Sequence, residues 1–516
     1  MAKKRTLVTL AILLSLVLVA TSCSGGVSKG TDELRIATDA LGDEKLDPMI
    51  SQPSSAPDLE VIYDSLIDTT RDGWDLSPDT GVLKKWELSS DGRTWTFYVR
   101  EGIKFHDGTE LTAEDVKFTL ERLRSPKAVA SNAFIFKQLI KEIKVVNPYK
   151  LEVVLVKPAY SFIYYASALM GSEAMIVPKA YIEQQGEEIF RRKPVGSGPY
   201  RLVEATPGRF KYEAVEKHWA VGTPKFKTIT WSGVPEESTR IAMLKAGEAD
   251  IISVGREAAV ELKKAGFQIF KTKDASAAWV HVHQQWKGKP LNDRRVREAL
   301  SVAINREEIA KYIMAGEATV QGSQLNSWDL VWEKDLPRPA YNPEKAKQLL
   351  KEAGYPNGFK LNFYFFPHAL MPEAKKIAES LAGYWANIGL DVKILQVEWG
   401  SYRDMWVKKT FPDPTVGLGV VSNRVISSVS PFTASSTAHN VEDPEFTKLA
   451  DGLIEAPDEA TYKKTFSQFN TRLWEETINI ELLTFDKLFA TNDKIKQWRM
   501  GRRAFSFNMR DIISAK

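Results

Sequence analysis

Cysteine is almost absent: Cys23 is the single one in 516 residues. One thiol cannot close an intrachain disulfide, so stability has to come from ordinary apolar cores. Histidine is scarce too, with six in the chain. The uncharged N-terminal stretch, Leu7 to Ala20, is 14 residues long. As a helix it would reach roughly 21 Å, short of the ~30 Å hydrocarbon core of a membrane. A marked excess of one charge is also missing, with 70 Lys and Arg against 66 Asp and Glu. Lys3, Lys4 and Arg5 contribute to the formal +4. Residues 1–22 read as a cleavable export signal, and without them the balance is 67 to 66, a net +1 over 494 residues. That balance calls for no nucleic-acid partner. A Gly-x-Ser-x-Gly elbow between strand and helix, a His-Glu-x-x-His helix and a second thiol are all missing, which argues against an exported hydrolase.

What is present is material for large cores and clear punctuation. Apolar residues make up 43% of the chain, and its 14 Trp, 16 Tyr and 24 Phe suit roughly three domain-sized units. "SGGVSKGTDE" after Cys23 is small and polar, a flexible tether over residues 23–33. "WELSSDGRTWTFYVR" alternates Trp95, Phe97 and Val99 with polar residues behind an Asp-Gly turn, the signature of a β-hairpin. "LTAEDVKFTLERL" predicts a helix capped by Thr112 with Asp115 in the third position, burying Val116, Leu120 and Leu123. Further on, "NPEKAKQLLKEAG" carries an Asn342 cap, Pro343 in the first turn and Gly354 after the end. The sequence then runs strand, helix, strand through "FKLNFYFF", "EAKKIAESLAGYWANIG" and "LDVKILQVEW", an α/β pattern.

Five blocks carry a resemblance. "EGIKFHDGTELTAEDVKFTLERL", "KPVGSGPYRL", "RRVREALSVAINREEI", "YNPEKAKQLLKEAGYPNGF" and "GYWANIGLDVKI" resemble, in order, the family-5 extracellular solute-binding proteins of ABC importers. Ala20, Thr21, Ser22 and Cys23 resemble a bacterial lipobox, which implies diacylation of Cys23 as the first mature residue. The family resemblance implies a two-lobed α/β periplasmic-binding-protein fold (type II, cluster C) with an extra α+β subdomain on the first lobe. Carried onto this chain, residues 34–60, 191–271 and 486–516 form lobe I, 61–190 the extra subdomain and 272–485 lobe II. The chain then crosses between lobes near Lys273 and near Leu483. The implied role is a lipid-anchored extracytoplasmic receptor, in the periplasm or on the outer face of the cell membrane. It would deliver a small solute, peptide-like by family default, to an ABC permease and ATPase, with no chemical step and no cofactor. An exported enzyme using the same cleft, or a sensory or chaperone-like relative, is the alternative. "FHDG" and "PVGSGPY" read as structural turns; the second lacks the Lys-Ser/Thr of a phosphate loop.

Candidate ligand contacts follow the first crossing. In "AAWVHVHQQW", His281 and His283 fall on one strand face, flanked by Trp279, Gln284, Gln285 and Trp286. Two imidazoles at that spacing suit polar lining of a cleft; no third histidine or cysteine is near in sequence, so no metal site is assigned. Trp399, Tyr402 and Trp406 sit at helical spacing, as cleft rim or as core. Peptide-binding members of the resembled family have an Asp near "GLGVVSNRVISSVSPF", where this chain has Ser422, Asn423 and Arg424. The chain therefore departs from the usual seat for a peptide ammonium, and Arg424 facing the cleft would prefer a carboxylate or phosphate. The Cys23 reading has a direct test. Cys23→Ser is expected to move the protein from the membrane fraction to the soluble fraction and to abolish incorporation of labelled palmitate.

Overall fold

The computed structural model describes residues 32–70, 75–283, 290–320, 336–367, 370–422, 429–434, 436, 441–500, 507, 509 and 512–514. Cys23, Gln284, Gln285, Trp286, Asn423 and Arg424 lie outside them. Among the described residues, no helix is long and apolar enough to cross a membrane.

An 11-stranded sheet runs through both lobes. In the first lobe, Glu33–Thr38 pairs in parallel with Thr228–Gly233 and Ile251–Val254. In the second, Lys360–Phe365 pairs in parallel with Asp391–Gln396 and Thr415–Ser422. Two long antiparallel strands, Gln268–Val282 and Asn479–Thr491, join the halves. Their register is broken between Thr272 and Ser276. Asp274 sits inside the break with φ +50, in the left-handed region that non-glycine residues rarely adopt. Its backbone is tied by N–H donation to Asp486 Oδ1 at 2.8 Å, and Thr484 Oγ1 donates to its side chain at 2.9 Å. Two strands with a pinned irregularity between them suit a hinge.

In the second lobe the sheet is covered on both faces, as parallel pairing requires. Val280, Val282, Phe363 and Val416 pack against the helices Arg294–Val302, Pro343–Glu352 and Ala374–Ala386. The caps read from sequence are in place: Lys345 N–H donates to Asn342 Oδ1 at 2.9 Å, and Gly354 turns the chain at φ +91. Residues 305–314 do not form one regular α-helix. Only Arg306–Glu308 is α-helical, and Ile309–Ile313 widens into a π turn. The chain then leaves through Ala315 and Gly316, both at positive φ.

A separate four-stranded antiparallel sheet has the spatial order Leu83–Leu88, Thr94–Val99, Lys150–Leu155, Ile140–Asn147. Trp95, Phe97 and Val99 point inward, as their alternation predicts. The helix Ala113–Arg124 starts with a true capping box: Thr112 N–H donates to Asp115 Oδ2 at 2.9 Å and Glu114 N–H to Thr112 Oγ1 at 3.3 Å. Its core does not stop at this unit. The helices Pro444–Ile454 and Glu459–Glu476 add Phe446, Tyr462, Phe466 and Phe469 to the same apolar cluster. Tyr160 N–H donates to Ala456 O at 2.7 Å, Ser161 Oγ to Ile454 O at 3.1 Å, and the Tyr164 and Tyr462 rings lie 5.6 Å apart. A helical hairpin read from sequence as second-lobe material thus closes a core some 300 residues upstream.

"FHDG" and "PVGSGPY" clasp one another. His106 N–H donates to Gly196 O at 2.8 Å, Gly196 N–H to His106 Nδ1 at 3.3 Å, and His106 Nε2 meets Gly198 O at 3.0 Å. Burial holds the imidazole below its ordinary pKa, which suits a neutral ring using both nitrogens. The glycines are required by close approach: a Cβ on Gly198 would sit 2.6 Å from the Ile62 carbonyl carbon, and one on Gly196 would overlap Ile62 O. Gly196→Ala is expected to cost about 1–3 kcal/mol by overpacking, measured by urea denaturation. Gly400→Ala, where a Cβ meets nothing within 4 Å, is expected to be neutral or slightly stabilising.

Candidate functional site

The second face of the second-lobe sheet carries an aromatic layer. Trp279, His281 and His283 project from one strand toward the helix Trp399–Val407, which supplies Tyr402 and Trp406. Tyr364, Phe366 and Phe411 complete the layer. His283 and Tyr402 are fully buried, and their Nε2 and hydroxyl are 2.9 Å apart. Trp279 Nε1–H donates to His281 Nε2 at 3.0 Å. Two strand glycines make the layer possible: a Cβ on Gly419 would lie 2.5 Å from His281 Nε2, and one on Gly417 would overlap the Tyr402 hydroxyl.

Thus the structure brings Trp279, His281, His283 and Tyr402 together, but as core within one lobe. Trp399 stays 47% exposed at the edge, its ring 4.9 Å from Phe366. Desolvation lowers the His281 pKa to about 3 and His283 well below its ordinary value. Opposite Trp279 in the ladder, Glu481 is buried and pushed up to about 7 by the same cause.

An opening lies at the other end of these strands. A cavity of about 450 Å³ is walled by Asp39, Ser253 and Arg256 from the first lobe and by Leu370 and Pro372 from the second, with Lys487 on the crossing strand. Lys487 pairs with Thr272 in the ladder and His281 with Asn479. Along the strand Asn479–Thr491 the two positions are eight residues apart, roughly 26 Å at ~3.3 Å per residue, so the histidines stand far from this cavity. Its volume lies within the usual range for small-molecule sites, about 300–1,000 Å³.

Arg256 spans the gap. It is 4% exposed, donates Nη1–H to Glu373 Oε1 of the second lobe at 2.7 Å and Nη2–H to Asp486 O at 3.1 Å, and lies over the Phe485 ring at 5.0 Å. Lys376 and Glu257 make a second, exposed inter-lobe ion pair at 3.0 Å, worth far less than the buried one. Arg240 is consumed by structure: its guanidinium donates to Ser253 O, Val234 O and Pro235 O. Asp39, Arg256 and Lys487 were not among the sequence candidates. The available signal was Lys487 itself, a lone cation inside the apolar strand "NIELLTFDKLFAT".

A two-lobed sheet, a paired hinge and an inter-lobe cavity agree with the sequence comparison. Residues 78–440 match the profile of the bacterial extracellular solute-binding proteins, family 5, middle region. The chain belongs to this family. It is 30% identical to the dipeptide-binding protein of Escherichia coli (strain K12) over 351 residues, 62% of this chain and 64% of that relative. It is 29% identical over 451 residues to the glutathione-binding protein GsiB of Shigella boydii, covering 84% of this chain and 85% of that one. In structure it is similar to the ABC transporter substrate-binding protein CtaP of Listeria monocytogenes. That likeness has a TM-score of 0.82 at 18% identity, over 94% of this chain and 99% of the other.

The aromatic layer predicts an acid sensitivity. An unfolded His281 takes up its proton near pH 6.5, whereas the folded imidazole does so at about 3. Between those values the unfolded chain binds more protons, so this site's contribution to stability falls as pH falls, by up to about 1.4 kcal/mol per pH unit. Glu481 acts oppositely, its contribution being lost as pH rises toward 7. His281→Gln keeps an acceptor for Trp279 and does not titrate. Its thermal midpoint is expected to fall less than that of the unaltered protein between pH 6.5 and pH 4; parallel curves would assign the acid sensitivity elsewhere.

Proposed function

We propose that the chain is a lipid-anchored extracytoplasmic receptor that captures a small solute between its lobes and presents the closed form to an ABC permease and its ATPase. The observation that carries this reading is the 450 Å³ cavity walled by both lobes beside the hinge strands. Family membership supports it, and the similarity to dipeptide- and glutathione-binding proteins favours a solute of peptide scale. Residues 1–22 serve as the signal peptide, Cys23 as the acylated anchor and 23–33 as the tether. Residues 34–60, 191–271 and 486–516 act as lobe I, 61–190 as its extra subdomain and 272–485 as lobe II, whose helical hairpin 444–476 is packed into the core of the extra subdomain. The work is capture, closure and docking, with no bond made or broken in the solute.

Closure follows from contacts that exist only when the lobes meet. The buried Arg256–Glu373 pair is one such contact, and a bound solute adds others. A chain cut before Cys23 and carrying Cys23→Ser has no thiol, so labels can be placed at will. Glu248→Cys and Lys393→Cys, on exposed positions of the two lobes, report the inter-lobe distance by fluorescence energy transfer. Addition of dipeptides, glutathione or other small acids, bases and neutral solutes is expected to shift the population toward the short distance for at least one class. A distance indifferent to every class would overturn the receptor reading.

A further inference from the structure

The cavity between the lobes has an electrostatic character set by which of its charges are already engaged. This inference rests on the receptor reading and specifies the chemistry of its solute. Three carboxylates line the cavity, and each accepts a hydrogen bond from the protein. Asp39 accepts from Ser253 Oγ at 3.4 Å, Glu237 from Gly255 N–H at 2.5 Å and Asp486 from Asp274 N–H at 2.8 Å. Among the cations, Arg240 is spent on backbone carbonyls.

The other two cations are not satisfied in the same way. Arg256 uses Nη1 and Nη2, but among the described residues its buried Nε–H has no acceptor. Glu373 Oε2, on the far side of the inter-lobe pair, is likewise buried without a donor. Lys487 is half-buried, and its Nζ stands 5.4 Å from the centre of the Phe489 ring. Asp39 and Asp58 lie within electrostatic range of Lys487, yet no hydrogen bond or ion pair joins either to it among the described residues. Burial lowers its pKa, the expected mark of an ammonium short of acceptors. Asp58, 2% exposed, is pushed well up by burial and by its acidic neighbours, so it offsets little of the lysine's charge.

A desolvated cation without an acceptor is costly, and an anionic oxygen brought by a ligand removes that cost. Cationic donors to carboxylate or phosphate oxygens are among the strongest hydrogen bonds available. We propose that the inter-lobe cavity receives a small organic anion, its negatively charged oxygens seated on the Lys487 ammonium and the Arg256 Nε–H. Because Arg256 also holds Glu373 of the second lobe, an anion on this arginine sits against the contact that closes the lobes. Charge recognition and closure then share one side chain. A solute bearing only a positive group meets carboxylates that are already engaged and a Lys487 ammonium that no ion pair neutralises among the described residues.

The test uses the thiol-free chain labelled at positions 248 and 393, titrated with matched acid and neutral pairs. The probes are N-acetyl-Ala-Leu and its C-terminal amide, N-acetylated glutathione and its dimethyl ester, glutarate and dimethyl glutarate, and glycerol 2-phosphate beside glycerol. Putrescine and agmatine form the basic arm. At least one acid is expected to close the lobes with an affinity 30-fold or more above that of its neutral partner. Lys487→Met is expected to erase that preference, and Lys487→Arg to retain most of it. The carboxylate and phosphate arms tell which oxyanion the seat prefers. If the neutral or basic arm closes the lobes as well as the acids do, the receptor reading stands and the anion seat is overturned. The anion seat also falls if Lys487→Met, folded by its circular dichroism, keeps the full acid preference. If no arm closes the lobes, the receptor reading and the anion seat fall together.

Discussion

Everything that sets one lobe against the other depends on the pairing of Gln268–Val282 with Asn479–Thr491. These strands are about 200 residues apart in sequence, yet they form one antiparallel ladder through both halves of the large sheet. A continuous ladder would make the halves rigid, because each backbone hydrogen bond fixes its neighbours' direction. The larger break, between Thr272 and Ser276, interrupts it, and Asp274 and Asp486 hold that interruption in a defined shape; a second register shift falls between Ala278 and Trp279. The cavity opens beside this break, with Lys487 on one side of it and Arg256 reaching across. A rotation at the break therefore moves the second-lobe wall of the cavity against the first.

The local grammar of this chain was legible. Caps at Thr112 and Asn342, the inward alternation of Trp95, Phe97 and Val99, and the turn at Gly354 depend on neighbours within a few residues. The family blocks added the two-lobed fold. The partner of each surface stayed hidden. Trp279, His281 and His283 form an amphipathic strand face that suits a cleft and a core equally well. Gly417 and Gly419, some 135 residues further on, admit Tyr402 and His281 and turn that face into core. Lys487 illustrates the converse: its strand reads as apolar, and its charge gains meaning once Asp39, Arg256 and the second lobe surround it.

Ionic groups in this protein divide by environment rather than by number. Surface pairs such as Lys376–Glu257 contribute little. The buried pair of Arg122 with Asp47, at 2.8 Å, joins the first helix of the extra unit to the loop after the first strand. Arg191 reaches the same aspartate at 3.4 Å. Removing one partner from such a site leaves a desolvated charge behind, at a cost of about 3–5 kcal/mol. In the aromatic layer the protein avoids this cost by keeping both histidines neutral. At the inter-lobe cavity it retains charge where a ligand can reach it.

The helical hairpin of residues 444–476 has a consequence for biogenesis. It supplies Phe446, Tyr462, Phe466 and Phe469 to a core whose other half is finished by Ile176. In an exported chain that folds after crossing the membrane, the 270 residues from Ile176 to Phe446 must emerge before this core can close. Through that interval the four-stranded unit exposes an aromatic edge around Tyr160 and Tyr164 that nothing yet made can cover. An exposed apolar edge of that lifetime invites aggregation. Covering that edge waits for the C-terminal hairpin, which carries Phe446, Tyr462, Phe466 and Phe469.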